Sequence, residues 1–181
     1  MVKLSPRPVL EAARSLEAEV VVEDDRWCQI ADCEGAVLAA VRALTAAQPH
    51  RLTDNATATI ALSDDTRVAD LNGTFRHKSG PTNVLSFPAG ARATAPGEPR
   101  YLGDVIIALE TVMREAVDLG ILPVHHLQHL AIHGVLHLLG YDHTTGTDAA
   151  TMEALEISVL ATLGVADPYV LPPLTAPALN G

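Results

Sequence analysis

Cysteine, aromatic residues, positive charge and long apolar runs are all scarce in this sequence, and each scarcity removes a class of protein. The two cysteines, Cys28 and Cys33, are too few and too far apart for a zinc ribbon or a C-x-x-C redox pair. Both are expected as reduced, partly buried thiols. Aromatic side chains make up 3% of the chain, too few for an exposed stacking platform to dominate binding of nucleic acid. No apolar run approaches the roughly 18–20 residues that cross a bilayer. The opening residues, "MVKLSPRPVLEAARSLEAE", contain no continuous apolar core of a secretory signal, so a cytoplasmic protein is expected. Lys and Arg number 12 against 22 Asp and Glu, a formal charge of −10. That excludes a protein that coats nucleic acid unspecifically, while leaving room for a local basic cleft.

What is present is an ordinary globular composition: 181 residues, 48% apolar and 19% charged, enough for one domain with a full core. Residues 1–17 read as an extension ahead of a strand, "AEVVVED". A helix is expected from Cys33 to Ala47, with Val37, Leu38, Val41 and Leu44 near a period of 3.6, closed by Pro49 and His50. "TATIALS" alternates as a strand. Ser63, with Asp64 and Asp65 behind it, is placed to start a helix that faces Val68 and Leu71 to the core and breaks at Gly73. "TNVLSF", between Pro81 and Pro88, is an edge strand. "ARATAPGEP" is a loop, and "YLGDVIIAL" is a buried strand running into a helix from Glu110 to Leu119. Pro123 opens the next helix where its missing N–H is not needed, and Gly140 stops it. A last helix spans Asp148 to Leu163, and the tail "LPPLTAPALNG" is proline-rich and unstructured. The fold class is therefore α/β, with an α+β character. It is a small mixed sheet with an edge strand, packed by helices, with a candidate metal site at the end of a central helix.

That site is "HGVLHLLGYDH", His133 to His143. Residues four apart share a helix face, so His133 and His137 can aim at one ion. Gly140 suits a left-handed helix end, after which the reversed chain can return His143 as a third ligand. Three neutral imidazoles leave a fourth position open, which is the pattern of a catalytic zinc site. One zinc ion per chain is expected, although nickel, cobalt or iron also accept imidazole. The spacing matches the zinc endopeptidase motif H-E-x-x-H-x-x-G-x-x-H of the metzincins, but Gly134 replaces the glutamate that activates water. His125 and His129 extend the stripe at the same interval. His129 with His133 is thus a competing pair, with packing or support behind the ligands as its simpler role. His125 and His126 read as scattered core or surface histidines.

These residues, together with "DLNGTFRHKSGPTNVLSF", "YLGDVIIAL" and "LGVADPY", resemble the YbeY family of bacterial endoribonucleases over about residues 18–170. The resemblance implies a zinc-dependent, single-strand-specific RNA endonuclease of the cytoplasm. Such an enzyme acts in maturation of the 3′ end of small-subunit ribosomal RNA and in ribosome quality control. Its implied partners are single-stranded RNA, ribosomal RNA or the ribosomal subunit, and a ribosome-associated GTPase or ribosomal protein, with no membrane. By residue, the resemblance carries zinc ligation onto His133, His137 and His143, and a functional role onto Arg76. The chain departs from the family in having Ser79 and Gly80 where a charge is usual, and in a loop, "TTGTDAAT", poor in carboxylates. Residues 1–17 and 171–181 fall outside the match.

Zinc lowers the pKa of a water it binds to about 7, and RNA carries its own nucleophile in the 2′-OH, so a strong protein base is dispensable. Arg76 is the candidate phosphate clamp, because a guanidinium can hold two oxygens as charge grows. Lys78 is a candidate substrate contact beside it. Asp142 can orient an imidazole or relay a proton, or simply cap a turn. Two other functions fit less well. A metallopeptidase lacks its base here, since peptide supplies no internal nucleophile. A metal-stabilised adaptor for the ribosome or a GTPase would not need an open coordination position.

Overall fold

The alternating and 3.6-period segments become four strands and five α-helices among the described residues, which are 14–90, 95 and 97–170 of the computed structural model. In chain order they are β1 (Leu16–Val22), a 3-10 turn (Asp25–Gln29), α1 (Cys33–Ala46), β2 (Ala56–Ser63), α2 (Asp65–Arg76) and β3 (Val84–Pro88). There follow β4 (Arg100–Ala108), α3 (Leu109–Leu119), α4 (Pro123–Leu138) and α5 (Gly146–Thr162). Most of the extension expected over 1–17, half of the loop over 91–99 and all of the tail over 171–181 lie outside the described residues.

The sheet order is β1-β2-β4-β3, with β1, β2 and β4 parallel and β3 antiparallel at the edge beside β4. This is the mixed, open sheet with a "TNVLSF" edge that the flanking prolines imply. Successive β4 side chains face opposite sides. Val105 and Ile107 join the main core with α1 and α4, while Ile106 and Ala108 meet Val68 and Leu71 of α2. α4 is the central helix, packed by α1, α3, α5, β3 and β4, and its Leu127, Ile132, Val135 and Leu136 are fully buried. No described helix is long and apolar enough to cross a membrane.

Several local boundaries move for identifiable reasons. β1 begins at Leu16, because that buried side chain and the register with Ala56 extend the ladder two residues back. Ser63 ends β2 and donates its hydroxyl to Glu23 (2.7 Å), so Asp64 takes the cap of α2, accepting from Arg67 N at 2.7 Å. α2 also runs through Gly73 to Arg76. An exposed helical glycine costs only about 1 kcal/mol, and the buried Asn72 anchors the following loop by donating to Gly80 O (2.9 Å). The helix ends at His77, in the left-handed region at φ 55°. The 3-10 turn, unforeseen, buries Trp27, whose indole donates to Ser63 O (2.9 Å). Most of "TTGTDAAT" is helix, because Thr145 caps α5 at Asp148 N (3.2 Å). Cys33 is buried, but Cys28 is exposed on that turn, and both are free.

At the ends of β2 and β4 two helix N-termini cap each other. Glu110 accepts from Asp65 N (2.9 Å), while Asp65 accepts from Thr111 N (3.0 Å) and its hydroxyl (2.8 Å). Carboxylates thus satisfy backbone donors that would otherwise be orphaned at positively polarised helix ends.

Candidate metal centre and its cleft

α4 presents His133 and His137 one turn apart and then stops in a Schellman turn. Tyr141 N donates to Leu136 O (3.0 Å), Gly140 N donates to His137 O (2.9 Å), and Gly140 sits at φ 87°. Tyr141 packs into the core on the far side of the turn, which carries His143 back over the helix end. The Nε2 atoms of His133 and His143 each lie 3.1 Å from Nε2 of His137. The rings of His133 and His143 stack, with His137 edge-on to both.

The protons on these rings can be assigned from their other nitrogens. His133 Nδ1 meets Glu156 Oε1 at 2.9 Å, and Glu156 is fully buried. Burial alone would raise that carboxyl, but hydrogen bonds from His129, His133 and Tyr169 outweigh it and bring it down to about 2. It is therefore an ionised acceptor, and His133 Nδ1 must be the donor. His137 Nδ1 donates to the Tyr141 carbonyl (3.0 Å). Burial first, and then the neighbouring His133 and His143, hold the His137 imidazole below its usual value, so it stays neutral at pH 7. With the single proton of each ring on Nδ1, the two Nε2 lone pairs face each other at 3.1 Å, and neither can donate. Such an arrangement is unfavourable on its own and fits a cation. Around a tetrahedral ion with metal–nitrogen bonds near 2.0–2.1 Å, neighbouring nitrogens lie about 3.3 Å apart. The residues fit zinc.

The competing pair separates from this cluster by atom. His129 Nε2 lies 3.2 Å from Glu156 Oε2, behind His133. His129, His133 and Glu156 also converge closely enough to be a second ligand group. However, they use His133 Nδ1, and their atoms already pair as two ring N–H donors on one carboxylate. The Tyr169 hydroxyl donates to the same carboxylate. Burial and that carboxylate keep the phenol protonated, above its ordinary value. Asp142 accepts from His143 N (2.8 Å), so its contact is with the turn and not with an imidazole. His126 is buried, its Nε2 2.7 Å from Glu115.

The histidines open into a cleft of about 550 Å³. Arg76, in the last turn of α2, reaches around the edge strand, donates to Ser86 O (3.2 Å) and lines this cleft with Lys78. The sequence-predicted cations and imidazoles are thus brought to one cavity. Gly134 faces the sheet. A Cβ there would lie 2.5 Å from Val105 Cγ1 and 3.3 Å from Ser86 Oγ, and Ser86 donates to Gly134 O at 3.0 Å. A glutamate at this position would have to pass through that packing.

Glu156 and Tyr169 were not singled out from sequence. Glu156 carried a readable signal, since Met152, Glu156 and Leu160 fall four apart on one face of α5 and all three are buried. A carboxylate at the middle of an apolar stripe needs a donor partner.

A family model described as Endoribonuclease YbeY matches residues 24–164. Among curated proteins, the Endoribonuclease YbeY of Azorhizobium caulinodans is 46% identical over 157 residues, covering 87% of this chain and 98% of its own. That of Rhodopseudomonas palustris strain BisA53 is 50% identical over 153 residues, covering 83% and 88%. The protein of the same name from Rhodospirillum rubrum is 49% identical over 146 residues, covering 75% and 70%.

Proposed function

The chain belongs to the YbeY endoribonuclease family, and from that membership we propose a zinc-dependent, single-strand-specific endoribonuclease. Its role is maturation of the 3′ end of small-subunit ribosomal RNA and ribosome quality control in the cytoplasm, with residues 18–170 as the working domain. The enzyme is a hydrolytic nuclease acting on RNA. Ribosomal RNA within the subunit, and a ribosome-associated GTPase or ribosomal protein, are its proposed partners. The observation that carries the reading is the meeting of three imidazole Nε2 atoms and an arginine in one cleft.

His133, His137 and His143 would hold the ion, which when bound supplies Lewis acidity toward a phosphate oxygen and makes water a stronger acid. Glu156 keeps the proton of His133 on Nδ1 and the Tyr141 carbonyl does the same for His137, so both Nε2 lone pairs face the ion. His129 shares the Glu156 carboxylate and holds its other oxygen. Arg76 grips the non-bridging oxygens of the scissile phosphate as their charge grows, with Lys78 nearby in the loop before β3. The attacking oxygen is the RNA's own 2′-OH: as it bonds to phosphorus and gives its proton to solvent, the P–O5′ bond breaks and the leaving O5′ takes a proton from solvent, which leaves a cyclic 2′,3′-phosphate that water then hydrolyses. The chain can therefore do without the base that a peptidase requires.

The packing of Gly134 against Val105 counts against the metallopeptidase, and the open face of the histidine cluster counts against a metal-stabilised adaptor. Zinc-loaded protein is offered an unstructured RNA, its duplex with a complementary strand, and a casein peptide, each with and without chelator. Chelator-sensitive cleavage of the single strand alone is expected. Peptide cleavage, or no cleavage by a fully loaded protein, would overturn the reading.

A further inference from the structure

A second arginine lies beyond the Gly140 turn, in a smaller cavity beside the cleft. Arg51 follows α1 in the loop Pro49–His50–Arg51 and is exposed. Its Nη1 donates to the Gly140 carbonyl at 2.6 Å, and its guanidinium lies 5.1 Å from the Tyr141 ring centroid. His50 Nδ1 pairs with the Tyr141 hydroxyl at 2.9 Å. These contacts line a cavity of about 270 Å³ whose walls include Tyr141 and Asp142, which also line the metal cleft, so the two cavities adjoin.

The two arginines are anchored alike. Each gives an N–H to a backbone carbonyl at the rim, Ser86 O for Arg76 and Gly140 O for Arg51. Among the described residues neither is paired with a carboxylate, unlike Arg26 with Asp24 and Glu110 or Arg114 with Asp65. A guanidinium has five N–H donors, so most remain available to an anion while the anchor fixes the side chain's direction. The acidic groups in the smaller cavity are Asp142 and Asp148. They accept from His143 N and from Thr145 Oγ1 and so are turned toward their own turn.

We propose that Arg51 binds a second phosphate of the RNA strand, so that the strand runs from Arg76 and Lys78 across the metal centre and past the Gly140 turn to Arg51 in the adjoining cavity. The proposal rests on the endoribonuclease reading. It gives a reason for a preference for single strands. One extended backbone can thread between two rims that each supply a fixed cation, whereas a duplex presents paired backbones at a spacing of its own.

The competing role for Arg51 is a strut that holds Gly140, and with it His143. The two are separable with fluorescein-labelled 2′-O-methyl oligouridines, which lack the attacking hydroxyl. One is about 12 nucleotides long and one about 3, and binding to zinc-loaded protein is followed by anisotropy over a salt series. Arg51→Ala should weaken the long strand about tenfold, as for loss of a charged hydrogen bond. It should also flatten the slope of log affinity against log salt by about 0.7, as for one phosphate on a single strand. Binding of the short strand and zinc content should stay unchanged, and Arg51→Lys should restore most of the salt slope. Wild-type affinity and slope in Arg51→Ala would overturn the proposal. So would parallel losses of zinc and of both oligonucleotides, which would identify a strut. If wild-type protein bound neither strand, the endoribonuclease reading itself would fall, whatever Arg51 does.

Discussion

Replacing Gly134 with alanine tests how closely α4 is pressed to the sheet, and its outcome depends on two opposed quantities. Alanine is about 1 kcal/mol better than glycine inside a helix. Against this, the new Cβ would stand 2.5 Å from Val105 Cγ1 and 3.1 Å from Cγ2, where ordinary carbon contacts need roughly 3.5–4.0 Å. Val105 is fully buried in the central core, and a β-branched side chain has few rotamers to escape into. Overpacking of this kind costs about 1–3 kcal/mol. A net loss of about 1 kcal/mol is therefore expected, read as a lower urea midpoint at constant slope. Val105→Ala alone should destabilise by about 1–3 kcal/mol through the hole it leaves. In the double variant the alanine methyl at 134 partly refills that hole. The pair should then be more stable than the sum of its parts by about 1 kcal/mol or more, a coupling expected only for side chains in contact. Gly134→Glu should acquire no peptidase activity. A Gly134→Ala protein more stable than wild type by the full helix increment, with additive energies in the cycle, would refute the close approach.

Three further outcomes are expected. His137→Ala should lose its metal and its RNA cleavage while keeping a cooperative unfolding transition, checked by metal analysis and urea denaturation. Full metal content in that variant, with loss in His129→Ala, would move the ligand assignment to the Glu156 group. Arg76→Glu should retain zinc but cut unstructured RNA about 10²–10³-fold more slowly, and Arg76→Lys should recover only part of the rate. Equal rates for all three proteins at matched zinc occupancy would remove the phosphate clamp. The Glu156 carboxyl sits at about 2 in the folded chain against an ordinary 4.5. Because the folded value is the lower one, its stabilising contribution is complete above pH 4.5 and is lost as pH falls toward 2. Metal-free Glu156→Gln should therefore lose stability less steeply than wild type across that window in urea midpoints, and its zinc affinity should fall about 10- to 100-fold.

The legible parts of the fold were those with a period or a stereochemical stop. The edge strand between Pro81 and Pro88, the proline that opens α4 and the glycine after its end all follow from single-residue chemistry. The histidine trio was legible because helical spacing and one turn set its geometry. Gly73 misled because local propensity is weak beside tertiary anchoring by the buried Asn72. Glu156 and Arg51 were hidden for another reason. Each meets the site across a long sequence separation, 23 residues to His133 and 89 to Gly140, and nothing local announces such a contact.

The interlocked carboxylates at the starts of α2 and α3 bear on how a chain of formal charge −10 can receive a polyanion. α2 has 12 residues and is about 18 Å long. Its positive backbone pole is quenched by Asp64 and Asp65, and its negative pole ends in Arg76. α4 likewise turns its carbonyl pole toward the histidine cluster, where a bound cation would be stabilised by it. α2 therefore carries acid at its positive pole and base at its negative one. At long range the surplus of acid slows encounter with RNA. Within about a Debye length, roughly 8 Å at physiological salt, the strand meets Arg76 and Lys78 at the cleft, where Asp142 is turned toward its own turn. The protein should discriminate by orientation, repelling RNA over most of its surface and admitting it over one rim. Raising salt should then weaken both the attraction at the rim and the repulsion elsewhere, and so narrow this discrimination before it abolished binding.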